Sequence, residues 1–147
     1  MNLMRLAYAS VSLVDAFSPE MLDIARVSSR RNAENGVTGA LLFDGWTFFS
    51  VLEAEASALG ALVDRISRDS RHAGMTRLDS ERPDSRLFSR WHLRRVDRDA
   101  EGALPTPRDL LKLSKADRRM IALDAFDPGA ETVWVDRDQG ARRECDG

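Results

Sequence analysis

The sequence predicts an α+β fold in which two helices cover one face of a mainly antiparallel sheet. Two amphipathic helical segments enclose a strand hairpin, and further strand-like runs precede and follow them, so the order is strand, helix, two strands, helix, two strands. This is the split β-α-β arrangement with one added strand. We therefore expect a ferredoxin-like β-α-β-β-α-β-β sandwich, followed by two C-terminal helices.

The first strand and the first helix have clear signals. Leu3 to Ala9 is a short hydrophobic run, typical of a strand that is buried on both faces. A helix is expected from about Pro19 to Glu34, because proline suits the first helical position and Asn35-Gly36 provides a left-handed stop. One face of this helix, which carries Ser28 and Asn32, becomes polar toward its C-terminal end.

A hairpin and a second helix follow. The runs Val37 to Phe43 and Thr47 to Leu52 flank Asp44-Gly45-Trp46, a strong turn signal, so they should pair antiparallel. Apolar residues then recur at the helical spacing i, i+3, i+4 and i+7, at Leu59, Leu62, Val63 and Ile66. A second amphipathic helix is therefore expected from about Ala56 to Arg68.

The remaining elements are two strands and two short helices. Met75 to Leu78 and Trp91 to Val96 are interpreted as strands, although arginines interrupt both patterns. Thr106-Pro107 can open one helix, and Ser114 with Asp117 can cap another. This segment should dock on the sheet face that the first two helices leave open, because it carries an apolar cluster: Leu110, Leu111, Leu113, Met120 and Ile121.

Length and composition exclude several classes of protein. The 147 residues suit one domain, and 43% hydrophobic with 31% charged residues is typical of a globular chain. The net charge of −2 gives no electrostatic reason to expect nucleic acid as a partner. No apolar run approaches the roughly 20 residues that span a bilayer, so no membrane association is expected. The single cysteine, Cys145, and the absence of a signal-peptide pattern indicate a cytoplasmic protein.

The common catalytic motifs are absent. The chain has no glycine-rich phosphate loop and no G-x-S-x-G elbow, and its two histidines, His72 and His92, lie outside any metal-ligand spacing. We therefore expect neither an enzyme nor a metal site. Three polar residues nevertheless lie inside apolar elements, namely Tyr8, Asn32 and Ser50. Taken singly, each is explained by a bond to backbone or water.

Read together, several stretches of the sequence resemble the BLUF family of flavin-using blue-light sensors. They are RLAYAS, RRNAENGVTGALLF, FFSVLEA, DSRH and, near the last strand, RLFSRWHL. The resemblance covers roughly residues 1 to 97 and implies a BLUF-like flavin-binding domain there. It also implies a C-terminal helical extension, which we assign to residues 98–127. The charged and glycine-rich residues 128–147 are expected to form a mobile tail.

The resemblance also implies a flavin site between the two helices. Tyr8 matches a tyrosine that gives an electron and a proton to the excited flavin, Asn32 matches an asparagine at the ring edge, and Trp91 matches a mobile tryptophan. Arg65, Asp69, Arg71 and His72 correspond to positions around the flavin tail. The full set of cofactor positions implied is Tyr8, Ile24, Ser28, Arg31, Asn32, Ser50, Leu52, Arg65, Asp69, Arg71, His72 and Leu93.

Four positions depart from the family pattern. Ser50 stands where the family has its switching glutamine, Ala54 replaces a glycine, and Leu93 replaces a methionine. Arg31 stands where a second asparagine is frequent, a change that still suits an anionic cofactor tail. A lost hydrogen bond to a buried flavin atom costs about 1 to 3 kcal/mol, against roughly 8 kcal/mol for a micromolar complex. We therefore expect FAD at reduced occupancy, with FMN or riboflavin as alternatives, and an impaired photoswitch.

The expected function is that of a flavin-binding sensor or regulatory module without turnover of its own. It would signal through a homo-oligomer to an effector protein of unidentified kind. The alternative is a cofactor-free BLUF-fold interaction module, in which Ser50 and Ala54 reflect the loss of flavin. A small flavin enzyme ranks last, because no substrate-activating constellation is present.

Overall fold

The computed structural model describes residues 2–13, 19–95, 104–125, 132–136 and 140–144. Only the backbone is described for residues 20–22, 24–25, 92–95 and 124–125 and for the last two ranges. Within these residues, no helix is long and apolar enough to cross a membrane.

The chain forms seven strands and four helices in the described residues. In order they are β1 (Leu3–Ser12), α1 (Pro19–Glu34), β2 (Thr38–Phe43), β3 (Thr47–Glu55), α2 (Ala56–Ser67), β4 (His72–Glu81), β5 (Trp91–Arg95), α3 (Pro107–Lys112), α4 (Lys115–Ala125), β6 (Thr132–Asp136) and β7 (Gly140–Glu144). Five strands make one sheet in the order β4-β1-β3-β2-β5. All its pairs are antiparallel except β2 with β5, which is parallel. The predicted α+β, ferredoxin-like fold is confirmed.

The main difference from the predicted elements is the length of β4. It begins at His72 and ends at Glu81, whereas the apolar pattern indicated a strand only from Met75 to Leu78. Pairing with β1 extends it, since partners run from Ser12 opposite His72 to Arg5 opposite Glu81. β4 is an edge strand with partly buried side chains, so apolar alternation does not mark its ends.

The two faces of the sheet have separate apolar clusters, because successive side chains of a strand point to opposite faces. On one face, Leu6, Tyr8 and Leu52 pack with Leu59 and Leu62 of α2. On the other face lie Ala7, Ala9, Ala40, Leu42, Phe49, Val51 and Phe88, together with Leu110 and Ala122 of the C-terminal helices. Each face of the sheet is therefore covered by helices.

The predicted docking of the C-terminal helices is confirmed, with a correction to its apolar cluster. Leu110 is fully buried, and Leu113 and Ile121 pack beside it. Leu111 and Met120 are instead each 53% exposed. Thr106 and Ser114 accept hydrogen bonds from the amides of Asp109 and Asp117, so both helices begin at the predicted caps.

Ion pairs fasten α4 to β4. The guanidinium of Arg118 donates to both carboxylate oxygens of Asp79, at 2.8 and 2.7 Å, and to the carbonyl of Leu110 at 3.0 Å. Glu81 accepts from Arg5, Lys115 and Arg119. Desolvation alone would raise the pKa of Glu81, but the hydrogen bonds from Lys115 and Arg5 outweigh it and lower the pKa to about 2.

The end of the chain contains a short hairpin. β6 and β7 pair antiparallel from Thr132 opposite Glu144 to Asp136 opposite Gly140. The backbone of β6 lies beside β5 and α1. The mobility expected for residues 128–147 stays a prediction.

Leu110→Ala should test the docking of the C-terminal helices. We expect the free energy of unfolding to fall by about 2 to 5 kcal/mol, the cost of removing a fully buried leucine side chain. Leu111→Ala is the matched control, and it should change stability by about 0.5 kcal/mol or less because Leu111 is exposed. Urea unfolding followed by circular dichroism measures both. Equal effects of the two variants would contradict the docking.

Candidate functional site

A groove lies between α1, α2 and the sheet. Val27, Ser28, Arg31 and Asn32 of α1 form one wall, Leu62, Arg65 and Ile66 of α2 form the other, and Tyr8, Ser10, Leu41, Phe48, Leu52, His72 and Trp91 come from the sheet. About 840 Å³ of the groove, including its open mouth, is not filled by protein atoms. Small-molecule and cofactor sites are concave and mostly apolar, and this groove has both properties.

Tyr8 is a buried side chain in the floor of the groove. Burial raises the pKa of Tyr8 to about 12, and an interaction with the Ser50 hydroxyl offsets part of the rise. The phenol therefore keeps its proton at neutral pH. Tyr8 is thus a neutral group with a transferable proton next to the open space of the groove.

Ser50 lies directly opposite Tyr8 in the pairing of β1 with β3. Its side chain is fully buried, and its hydroxyl donates to the carbonyl of Ala40 at 3.2 Å. Because a serine hydroxyl has one proton, this bond uses its only donor. Ser50 is not among the described residues that line the groove.

Asn32 faces the groove from the last turn of α1, and only 3% of its surface is exposed. Its backbone carbonyl accepts from the amides of Asn35 and Val37, at 3.2 and 2.8 Å, where the chain leaves the helix. Gly36 has φ +67°, so the left-handed stop predicted at Asn35-Gly36 is present. The helix end therefore holds Asn32 in place through its backbone, and its side-chain amide is available to a ligand.

Three buried polar atoms of the groove have no hydrogen-bond partner within the described residues. They are the hydroxyl oxygen of Ser10, Nδ1 of His72 and Nε1 of Trp91. Buried polar groups in proteins are nearly always paired, so three exceptions in one groove indicate a polar ligand. Nε2 of His72 donates to the carbonyl of Ile66 at 2.6 Å, so Nδ1 of the neutral ring is an acceptor. The indole nitrogen is a donor and the serine hydroxyl is either, so the groove offers both kinds of partner.

The mouth of the groove carries charged side chains. Arg71 donates to both oxygens of Asp69, at 2.9 and 2.6 Å, and to Asp23 of α1 at 3.0 Å. The hydrogen bond from Arg71 is the largest cause that lowers the pKa of Asp69. Arg31 and Arg65 are exposed, and their guanidinium groups have no hydrogen-bond or ion-pair partner among the described residues. Two positive charges are therefore available at the mouth.

The structure brings most of the predicted site residues together. The predicted residues that line the groove are Tyr8, Ser28, Arg31, Asn32, Leu52, Arg65, Asp69, Arg71, His72 and Trp91. The side chains of Ile24 and Leu93 lie outside the described part of the structure. Ser50 is buried next to Tyr8 instead of lining the groove, and His72 is the first residue of β4 and not part of a loop.

Sequence reasoning missed several lining residues, among them Ser10, Leu41, Phe48, Leu62 and Ile66. Strand alternation could have found some of them, because Ser10 follows Tyr8 by two residues and Phe48 precedes Ser50 by two. No group of three or more potential metal ligands occurs among the described residues.

Comparisons with known proteins agree with this geometry. The model of the BLUF family, "Sensors of blue-light using FAD", matches residues 3–94. Photoactivated adenylate cyclase subunit beta of Euglena gracilis is 33% identical over 112 residues, which are 75% of this chain but only 13% of that protein.

Two solved structures are similar along most of the chain. BlrB, a BLUF protein in its dark state, is 31% identical over 86% of this chain and 87% of its own, with a TM-score of 0.60. BlrP1 of Klebsiella pneumoniae, solved with FMN and cyclic diGMP, is 29% identical over 84% of this chain and 35% of its own, with a TM-score of 0.61. Since the family model spans more than half of the sequence, the chain belongs to the BLUF family and contains a flavin-binding blue-light sensor domain.

Proposed function

We propose that this chain binds FAD in the groove between α1 and α2 and acts as a regulatory module without turnover of its own. The observation that carries this proposal is that three buried atoms, from Ser10, His72 and Trp91, lie in one groove without a partner among the residues that the structure describes. An aromatic ring with several donors and acceptors suits an apolar groove of this composition. The residues present therefore fit a flavin.

Different parts of the groove suit different parts of the cofactor. Tyr8, Asn32 and Trp91 would hold the isoalloxazine ring, together with the apolar side chains of Leu52 and Leu62. When bound, the flavin supplies absorption of blue light and an acceptor for an electron and a proton. Tyr8 holds the proton that such a transfer needs, since a phenol is neutral at neutral pH and burial raises its pKa further, to about 12.

The charges at the mouth favour a phosphorylated flavin over riboflavin. Arg31 and Arg65 have no acidic partner among the described residues, and guanidinium groups bind phosphate oxygens well. Asp69 is neutralised by Arg71, so it does not oppose an anionic tail. We favour FAD, with FMN as the alternative that shares this chemistry.

The chemistry of Ser50 limits the light-driven switching of this site. A switch needs two discrete arrangements, and an amide can supply them because it offers both a donor and an acceptor. The single proton of Ser50 is committed to the carbonyl of Ala40. The side chain therefore lacks a second stable arrangement toward the groove, and we propose that the light response is impaired.

The same hydrogen bond also supports a second candidate, a cofactor-free interaction module. Ser50 has an acceptor for its proton in the carbonyl of Ala40 and a polar neighbour in Tyr8, so it needs no flavin atom. A flavin titration separates the two candidates, since only the first predicts saturable binding in the groove. In either case the effector protein and the homo-oligomer stay predictions, the latter tested by sedimentation.

Asn32→Ala should weaken flavin binding. We expect a loss of about 1 to 3 kcal/mol, or roughly 5- to 150-fold in Kd, because a buried amide hydrogen bond is removed. Asn2→Ala is the control, as it makes the same chemical change at an exposed position outside the groove. Flavin fluorescence titration measures both, and equal affinities of Asn32→Ala and the unmodified chain would contradict the placement.

Arg31→Ala should weaken binding of FAD more than binding of riboflavin, which has no phosphate. We expect the Kd for FAD to rise up to about fivefold, because an exposed ion pair contributes about 1 kcal/mol or less. The difference in Kd between the variant and the unmodified chain should shrink as salt is added. Arg30→Ala removes the same charge from the adjacent exposed position, which does not line the groove, and should affect the two ligands equally. Equal loss for FAD and riboflavin in Arg31→Ala would refute the role in phosphate binding.

Ser50→Gln should restore a light response. The flavin-loaded native chain should show no long-lived red-shifted state in a light-minus-dark spectrum, because Ser50 has no amide to rearrange. Illumination of the Ser50→Gln variant should produce a more stable red shift of flavin absorption, whereas illumination of Ser50→Ala should not. A stable shift in the native chain that decays in darkness would show that another group performs the switch.

A further inference from the structure

The segment between β4 and β5, residues 82–90, is fastened to the sheet by the buried carboxylate of Glu53. Glu53 has no exposed surface, and it lies on the sheet face opposite the groove, since the neighbouring Leu52 packs on the groove face. Its carboxylate accepts from the backbone amide of Leu87 at 2.9 Å and from that of Phe88 at 2.9 Å. The segment therefore depends on a charged group in the core.

Arg5 completes the set of partners for this carboxylate. Its guanidinium lies 2.9 Å and 2.8 Å from one oxygen of Glu53, through Nε and a terminal nitrogen, and it also donates to the carbonyl of Ser85 at 3.1 Å. A buried carboxylate is tolerated only when it is paired and hydrogen-bonded, as here. Two backbone amides and one guanidinium thus fix Glu53 and the segment together.

Further hydrogen bonds restrict the movement of residues 82–90 relative to the groove. Arg86 donates to the carbonyls of Gly36 and Glu53, at 2.9 and 3.1 Å, and Gly39 donates to the carbonyl of Arg90 at 3.1 Å. Phe88 itself is buried in the apolar cluster beneath the sheet. From Phe88 to Trp91 the chain can span at most about 11 Å, so the position of one restricts the other.

The indole of Trp91 has no hydrogen bond that could hold it. Its Nε1 is buried without a partner among the described residues, and the ring is held by packing against Leu41, Phe43 and Phe48. Its position in the wall of the groove therefore depends on where the backbone enters β5. The start of β5 is in turn fixed by the hydrogen bonds that residues 86–90 make, including those to Glu53 on the other face of the sheet.

We propose that Glu53 is a positioning residue that places the indole of Trp91 in the groove, by holding the amides of Leu87 and Phe88 from the opposite face of the sheet. The inference rests on the proposed function only in that Trp91 belongs to the flavin site. The placement of Trp91 is a property of the protein alone, so it can be measured without flavin.

The test uses fluorine NMR of the full chain labelled with fluorotryptophan. The chain has three tryptophans, and replacing each in turn by phenylalanine assigns the three resonances. In Glu53→Gln, which has nearly the same shape but no charge, we expect the Trp91 resonance to move by more than its own linewidth. The Trp46 resonance, from the tip of the β2–β3 turn, should stay in place.

Glu81→Gln is the matched control, because Glu81 binds the same arginine but not the amides of Leu87 and Phe88. It should leave the Trp91 resonance in place even if it lowers stability. If Glu53→Gln does not fold, Arg86→Met releases the same segment from β2 and β3 and should move the Trp91 resonance. An unmoved Trp91 resonance in the folded variant, or an equal movement in Glu81→Gln, would overturn the proposal.

A flavin titration of the same variants separates this inference from the proposed function. If both hold, Glu53→Gln moves the Trp91 resonance and also weakens flavin binding severalfold, because one wall of the groove is displaced. If the native chain binds no flavin, the proposed function fails, while the NMR result still decides whether Glu53 positions Trp91.

Discussion

The register between β1 and β3 is the constraint on which the rest of the structure depends. It sets Tyr8 opposite Ser50 and Arg5 opposite Glu53 in the two central strands of the sheet. Because side chains alternate along a strand, a slip of β1 by one residue would turn its side chains to the opposite faces. Tyr8 would then face the C-terminal helices, and Arg5 would enter the groove, away from Glu53. One register therefore determines both the ligand site and the ion-paired face.

The two faces are stabilised by different physical means. The groove face is largely apolar, and its few polar atoms include three without partners in the described part of the chain. The opposite face carries a connected set of charges in which Arg5 joins Glu53 to Glu81, and Glu81 joins Lys115 and Arg119 of α4. Polar atoms without partners on the groove face are suited to binding a ligand. The ion-paired side chains on the opposite face are suited to holding helices permanently against the sheet.

The sequence predicted the fold and much of the site because those features are local. Two local patterns predicted α2 and the end of α1, because each acts within a few residues. They are the helical spacing at Leu59, Leu62, Val63 and Ile66 and the stop at Asn35-Gly36. The extent of β4 could not be predicted in this way, since it follows from pairing with β1, some 70 residues away. The role of Glu53 is also hidden in the sequence, because its partners come from two distant parts of the chain. Ser50 departs from the family pattern, but only the structure shows that its hydroxyl donates to Ala40.

The parallel pairing of β5 with β2 has a consequence for how the molecule opens. β4 and β5 are consecutive in sequence but lie at opposite edges of the sheet, so residues 82–90 must cross its full width. An edge strand has one neighbour in its sheet, and β5 spans five of the described residues. Local unfolding begins where few bonds must break, so β5 should separate from β2 at a lower free energy than global unfolding. Amide hydrogens of β5 should then exchange before those of β1 and β3, while the central strands stay paired.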